Sequence, residues 1–273
     1  MRYIIDHDLH IHTLLSRCAN HKENTVENIV KSAKAVNLKK IAFTDHFWDE
    51  EINCDVPGGM VGFDIIKKSR PLPKDDDIKS LFGCEAEVNY NLVVGVSEKR
   101  FKEFDIILLS LTHNQKVGRT IRKEDYMKPE RLSHLWVERA LGVLNQNLPF
   151  HKIGLSHLTS PHIADNIKNE NEEIYRKTLD LIKEDEIEEV FTLAAKRGVG
   201  IELNATDMRY SDENKKRVFK FYRIAKECGC KFYCGSDSHS LESIKKKRVG
   251  YIERAIDELR LTEDDKWEIA RSD

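Results

Sequence analysis

In the stretch DHDLHIHTLL, residues 6–15, His10 and His12 stand two positions apart and follow the short apolar run Tyr3-Ile4-Ile5. A β-strand turns successive side chains to opposite faces, so residues i and i+2 project the same way. Two neutral imidazoles on one face offer two lone pairs to a single divalent cation. Alone, an H-x-H is equally the mark of two ordinary hydrogen-bonded histidines. Its meaning therefore rests on further donors at equivalent places. Thr44-Asp45-His46, Gly83-Cys84-Glu85, Thr112-His113, Ser156-His157 and Ser236-Asp237-Ser238-His239 each close or follow a short apolar run of their own.

Those runs read as seven strands, over residues 3–9, 40–44, 81–86, 104–111, 152–156, 199–203 and 231–235. Longer amphipathic stretches alternate with them, the pattern of repeated βα units around a parallel sheet. Val26, Ile29, Val30, Ala33 and Val36 mark one face of a helix over 25–36, with Asn24 and Glu27 at capping-box spacing. Further helices are expected over 129–145, over 172–197 with a break near Asp185, and over 212–228. Six of the seven strands then present His, Asp or Glu at the C-terminal edge, and in a parallel barrel those edges gather on one rim, where active sites form. No linker or repeat divides the chain, so a single barrel domain over 1–273 is expected, with a helical tail at about 251–273. The irregular piece 47–79, with Pro57-Gly58-Gly59 and Pro71-Leu72-Pro73, reads either as a lid or as a plain connection.

Bulk properties narrow the classes. Hydrophobic residues make up 40% and charged residues 34% of 273, with a net charge of -2 and a pI near 6.6. Near neutrality argues against a nucleic-acid partner, and the basic run Lys245-Lys246-Lys247-Arg248 reads as a solvated helix end. No apolar segment approaches the roughly 18 residues a membrane helix needs. Asp6 interrupts the N-terminus before a signal-peptide core can form, so a cytoplasmic protein without a membrane partner is expected. The six cysteines include no C-x-x-C pair, and reduced thiols are the expectation, Cys228-x-Cys230 included.

Taken in order, H-x-H, T-D-H, G-x-E, T-H, S-H and G-S-D-x-H resemble the PHP family, named for polymerase and histidinol phosphatase, over roughly residues 6 to 240. The resemblance implies a distorted (β/α)7 barrel, similar to a TIM barrel, with a multinuclear and commonly trinuclear metal site at the C-terminal rim, and phosphoester hydrolysis. Carried over by position, His10, His12, Glu85 and Asp237 would hold one metal. Glu85 would bridge to a second held by His113 and His157, and His46 and His239 would serve a third. One departure stands out. Family members often place Asp or His shortly after H-x-H, whereas this chain has Ser16-Arg17-Cys18 and then Ala19-Asn20-His21. Either Cys18 or His21 would complete the third site, and Cys18 reads equally well as a small packing residue. Glu87 shares the face of Glu85, though the G-x-E register favours Glu85; Asp8 is expected to accept from an imidazole N–H.

Mixed imidazole and carboxylate donors suit two or three ions of Zn²⁺, Mn²⁺ or Fe²⁺ better than Mg²⁺. The expected chemistry is in-line attack of a metal-bridging hydroxide on a small phosphomonoester of the histidinol phosphate kind, with catalytic roles for Glu85 and Asp237, and with Asp237 or a metal-bound water assisting proton transfer. A phosphate should also need a guanidinium, and Arg17 and Arg209 follow strands on the correct rim, where each is equally readable as a surface arginine. Glu202 and Asn204 are expected to pack or support, with substrate contact as their other reading. His7, His134, His151 and His162 are expected to be structural, His162 being nearest to the motifs. Three rival readings stay open: an amidohydrolase-type barrel, a non-catalytic metal-binding PHP module, and a polymerase-associated exonuclease.

Overall fold

The computed structural model describes residues 1–52, 58–166, 168, 170–244 and 249–269, so Cys54, Pro57 and the basic run at 245–248 lie outside the described residues. Eight strands occur in it, β1 (His7–Ile11), β2 (Lys40–Phe43), β3 (His46–Phe47), β4 (Lys79–Glu87), β5 (Ile106–Ser110), β6 (Ile153–Ser156), β7 (Gly200–Asn204) and β8 (Lys231–Gly235). In space they run β1-β2-β4-β5-β6-β7-β8, every pair parallel. β3 pairs with β4 beyond the end of β2. The ring is drawn shut where Ile11 bridges Ser238 and the His12 N–H donates to the Ser238 carbonyl at 3.0 Å. The result is the expected nearly closed, seven-position α/β barrel. Around it lie α1 (Val26–Ala35), α2 (Phe63–Ile66), α3 (Pro129–Leu144), α4 (Glu172–Leu181), α5 (Glu184–Arg197), α6 (Asp212–Glu227) and α7 (Val249–Leu259). No helix among the described residues is long and apolar enough to cross a membrane.

Strands covered on both faces read as continuous apolar runs, and β5, IILLS, is buried at every position. Inside the ring, Leu9, Ala42, Leu81, Ile106, Leu108, Tyr233 and Trp267 form a separate apolar cluster. Several expectations shift here for packing reasons. The run at 3–5 is not the start of β1, because Tyr3 is fully buried with its hydroxyl donating to the Phe232 carbonyl at 2.8 Å. The second expected strand breaks into β2 and β3 because the Thr44 N–H donates to the Ile11 carbonyl at 2.8 Å, bending the chain toward β1. Thr25, not Asn24, caps α1 by accepting from the Asn28 N–H. Ile182 and Lys183 separate α4 from α5, close to the expected break.

The tail departs most. Helix α7 ends at Leu259, and the chain then turns back beneath the barrel instead of continuing as a helix. The Trp267 N–H donates to the Phe232 carbonyl at 2.8 Å and its indole N–H to the Gly198 carbonyl at 3.0 Å. A Cβ on Gly200 would lie 2.3 Å from the Trp267 ring, so glycine is what lets the indole fill the lower mouth. Trp267→Ala is accordingly expected to destabilise the fold by about 3–5 kcal/mol, read as a lower urea midpoint with an unchanged m-value.

Candidate metal centre

All the strand-end donors converge on the upper mouth, and local backbone explains how. His10 and His12 share the inward face of β1 and its continuation, and both are fully buried. His46 of β3 is the register partner of Glu85 in β4, which sets the two side by side. Where β6 and β8 give way to their loops, His157 (φ 33°) and Asp237 (φ 52°) adopt left-handed backbone. Such geometry costs about 1–3 kcal/mol in a non-glycine residue and persists only where its surroundings over-determine it. Gly235, the glycine of G-S-D-x-H, is required by close approach: a Cβ there would sit 1.8 Å from Glu202 Oε1 and 2.8 Å from His10 Cβ.

Glu85 lies at the centre. Its Oε2 is 3.5 Å from His10 Nε2, 3.6 Å from His12 Nε2 and 2.8 Å from His46 Nδ1, while Oε1 is 2.6 Å from His157 Nε2. Asp237 Oδ1 is 3.1 Å from His12 Nε2 and 3.6 Å from His10 Nε2. Among the described residues three sets have donor atoms within 4.8 Å of one another: His12, His46 and His239; His10, His12 and Asp237; His10, Glu85 and His157. His10 Nδ1 lies 2.8 Å from Glu202 Oε1, which assigns the ring proton to Nδ1 and leaves a lone pair on Nε2. That Nε2 and Glu85 Oε2 are both buried without a hydrogen-bond partner. Two acceptors facing each other at this range in a dry interior are favourable only with a proton or a cation between them. The donor chemistry fits divalent ions of the zinc and manganese class.

Electrostatics agree. Burial opposes charge on His10, yet Glu202, Asp237 and Glu85 outweigh it and push the imidazole well above its ordinary range. In the same way Glu85 overcomes burial to raise His46 to about 10 and His157 to about 9, and Asp237 raises His239 to about 9. Glu85 and Asp237 are themselves held well below the carboxylate range despite burial, by His46 and His10 and by His10 and His239. His12 goes the other way, lowered by burial and by His239 and His46. Without a metal, this mouth retains protons at positions a cation could take.

The PHP domain family matches residues 8–206 of the chain. The chain belongs to the PHP family. Among solved structures, the histidinol phosphate phosphatase from Lactococcus lactis subsp. lactis, complexed with zinc, L-histidinol and phosphate, superposes with a TM-score of 0.59. That likeness covers 96% of this chain and 98% of the other at 17% identity, and at such identity it bears on the fold alone. A search of curated proteins finds no match.

Several residues of this PHP barrel stand elsewhere than expected. Asp8 accepts from the backbone N–H groups of His10 (3.3 Å) and Ser236 (2.9 Å), stitching β1 to the β8 loop instead of meeting an imidazole. Glu202 does meet one, and its other oxygen accepts from the His157 N–H at 2.7 Å. Asp45 gathers the Thr13 N–H and the Thr13 and Ser16 hydroxyls, and Ser16 Oγ in turn lies 3.2 Å from His12 Nδ1 and accepts from the His46 N–H at 3.1 Å. His113 also meets a carboxylate: its Nδ1 is 2.7 Å from Glu87 Oε1, and its ring packs on His157 with centroids 4.6 Å apart.

Above the donors lies a cavity of about 270 Å³ whose lining includes Arg17, Cys18, Lys116 and His162. Arg209, by contrast, lines a separate cavity of about 640 Å³ with Tyr210 and Arg254. Cys18 lines the first cavity beside His46 and His239, and their influence brings its thiol down to about 6 against the effect of burial. Cys18 and His21 are both solvent-exposed, and neither belongs to any of the donor sets. His162, expected to be structural, packs edge-on against His113 at 5.0 Å and faces the cavity. The sequence reading missed Lys116, which reaches Glu87 from the loop after β5. Its signal was a cation three residues beyond a strand-end histidine. That loop is pinned by the fully buried Arg139, which donates to the Leu111 and Thr120 carbonyls and to Asn114 Oδ1.

Proposed function

We propose that this PHP protein is a metal-dependent phosphatase of small phosphomonoesters, working as a single barrel. The carrying observation is the pair of unpartnered acceptors His10 Nε2 and Glu85 Oε2, 3.5 Å apart inside a ring of imidazoles. His10, His12, Glu85, Asp237 and His157 would hold the inner ions, with His113 beside His157, and His46 and His239 would hold an outer one. Because each donor set overlaps another, two or three ions would lie close together. Divalent ions so placed neutralise phosphoryl oxygens and acidify water, the two demands of phosphoester hydrolysis.

The chain's own groups have distinct tasks. Glu202 keeps the Nδ1 proton of His10 in place, so that Nε2 is the nitrogen that would offer its lone pair to an ion. Arg17 and Lys116 supply positive charge at the cavity for the phosphate, a role the position of Arg209 does not favour. Asp237, whose Oδ1 faces His10 and His12 beside the cavity, would orient the attacking water, and it or a metal-bound water would assist the proton transfer. A volume of about 270 Å³ suits a compact substrate. The L-histidinol and phosphate bound by the Lactococcus lactis phosphatase support the same class.

The test is release of inorganic phosphate by Zn-, Mn- or Fe-loaded protein from histidinol phosphate, sugar phosphates and nucleotides. Turnover of at least one small phosphomonoester is expected, abolished by chelator and restored by metal. Protein of verified metal content that is inert toward the whole panel would instead be a binding module.

A further inference from the structure

The second cavity, of about 640 Å³, shares no lining residue with the one above the metal donors. It lies among the loops after β6 and β7, the first turns of α4 and α6, and α7. Charge around it is unevenly paired. Arg176 bridges Glu172 and Glu213, and Glu172 also accepts from the Asn166 and Asn214 side-chain amides, each at 2.7 Å. Both glutamates are thus engaged. Arg209 and Arg254, in contrast, form no ion pair among the described residues. Arg254 is braced over the Tyr251 ring at 4.8 Å, and Tyr210 beside it in the lining stands edge-on against Phe219.

Two oxygens of the same lining lack partners in the opposite sense. Asp207, 2% exposed, commits Oδ2 to the Thr159 N–H at 2.8 Å and to the Thr159 and Tyr222 hydroxyls, each at 3.0 Å. Its Oδ1 is buried with no partner. Asn214, 5% exposed, turns its amide nitrogen to Glu172, which leaves its Oδ1 buried and unpartnered as well. A buried acceptor without a donor is unfavourable, and nearly all such groups in native proteins find one. The lining therefore offers two free guanidiniums and two acceptors that want N–H groups.

We infer that this cavity is a binding site for a free amino acid, with its carboxylate on Arg209 and Arg254 and its ammonium group on Asp207 Oδ1 and Asn214 Oδ1. A zwitterion is the smallest ligand that answers both deficits. A plain anion leaves the oxygens bare, and a plain amine leaves the guanidiniums bare. Guanidinium matches carboxylate in a two-pronged fit. The first turn of α6 adds N–H groups, since its N-cap Ser211 makes no side-chain cap bond and lines the cavity. The volume leaves room for the ligand's side chain. None of the metal donors lines this cavity, so the inference is independent of the metal-centre reading.

Calorimetric titration of the full chain with each of the common L-amino acids, in zinc and again in chelator, gives a readout apart from turnover. At least one should bind under both conditions with a Kd near or below about 1 mM. Acetate and methylamine, each carrying one of the two charges, and inorganic phosphate should bind at least about tenfold more weakly than that amino acid. Arg209 and Arg254 are exposed, so their alanine variants should fold normally, and each should weaken binding by about tenfold or more. Asp207→Asn keeps an acceptor for Thr159 and Tyr222 but turns an N–H group toward the ammonium, and it should abolish binding. Arg17→Ala, in the other cavity, should leave binding unchanged. The inference is overturned if no amino acid binds at millimolar concentration, or if phosphate binds as tightly as the best of them. Binding that survives Arg209→Ala, or that is lost in Arg17→Ala, puts the ligand elsewhere and overturns it too. Whether the barrel is a phosphatase is decided separately, by phosphate release.

Discussion

Glu85→Gln is expected to lower phosphomonoester turnover by on the order of a thousandfold and to strip ions from the inner sets. No other side chain here shares its position: one oxygen is within 3.6 Å of the ring nitrogens of His10, His12 and His46, and the other is 2.6 Å from His157. An amide keeps the shape but removes the charge, and it turns N–H groups toward nitrogens whose lone pairs must stay free. Turnover and elemental analysis on protein shown by circular dichroism to be folded would check this. Glu87→Gln is the matched control. Glu87 holds His113 and Lys116, so its loss should cost far less metal. A dead Glu87 variant beside an active, metal-replete Glu85 variant would show that the wrong carboxylate had been placed at the centre.

A second large effect concerns pH, with opposite signs in the two states of the protein. In the metal-free chain His46 is raised to about 10 and His157 and His239 to about 9, against an ordinary value of 6.5. A raised histidine contributes stability that is complete below its unfolded value and is lost as pH climbs through the folded one. Glu85 and Asp237 are depressed, so their contribution is present above the ordinary carboxylate range and is lost on acidification. His12 and His162 are lowered, so their burial costs stability as pH falls below the ordinary histidine value; metal-free protein should therefore be most stable near pH 6.5 and should weaken steadily toward about pH 9 to 10. Ions must displace those same protons, so metal affinity, and with it the stability of the loaded protein, should rise over that interval. Thermal midpoints from pH 6 to 9.5 with metal and with chelator should diverge. Parallel curves would mean that the ions do not occupy the histidine-lined mouth.

The strands and their chemical ends were legible in the chain itself. Apolar runs such as IILLS declare a buried parallel strand, and period-two alternation places His10 with His12, and Glu85 with Glu87, on one face whatever the rest of the protein does. Because parallel strands all point the same way, donors at their C-terminal ends had to meet at one rim. The resemblance to the PHP family followed from the same local motifs, and the family match over residues 8–206 agrees with it.

Which donor faces which was decided only by the closed barrel. The stagger between strands places His46 against Glu85 and lets Glu202 reach across β8 to His10 through the gap at Gly235, and no local rule encodes that offset. Loop packing brings His113 to Glu87, opens Arg209 onto a different cavity and sets Cys18 on the wall of the cavity that His46 and His239 also line. The tail shows the same limit: Trp267 leaves a helical pattern to plug the lower mouth, a vacancy that exists only once seven strand positions have closed. Strand identity and side-chain face are set by a residue's nearest neighbours in sequence. Partnership is set by distant segments competing for the same enclosed space.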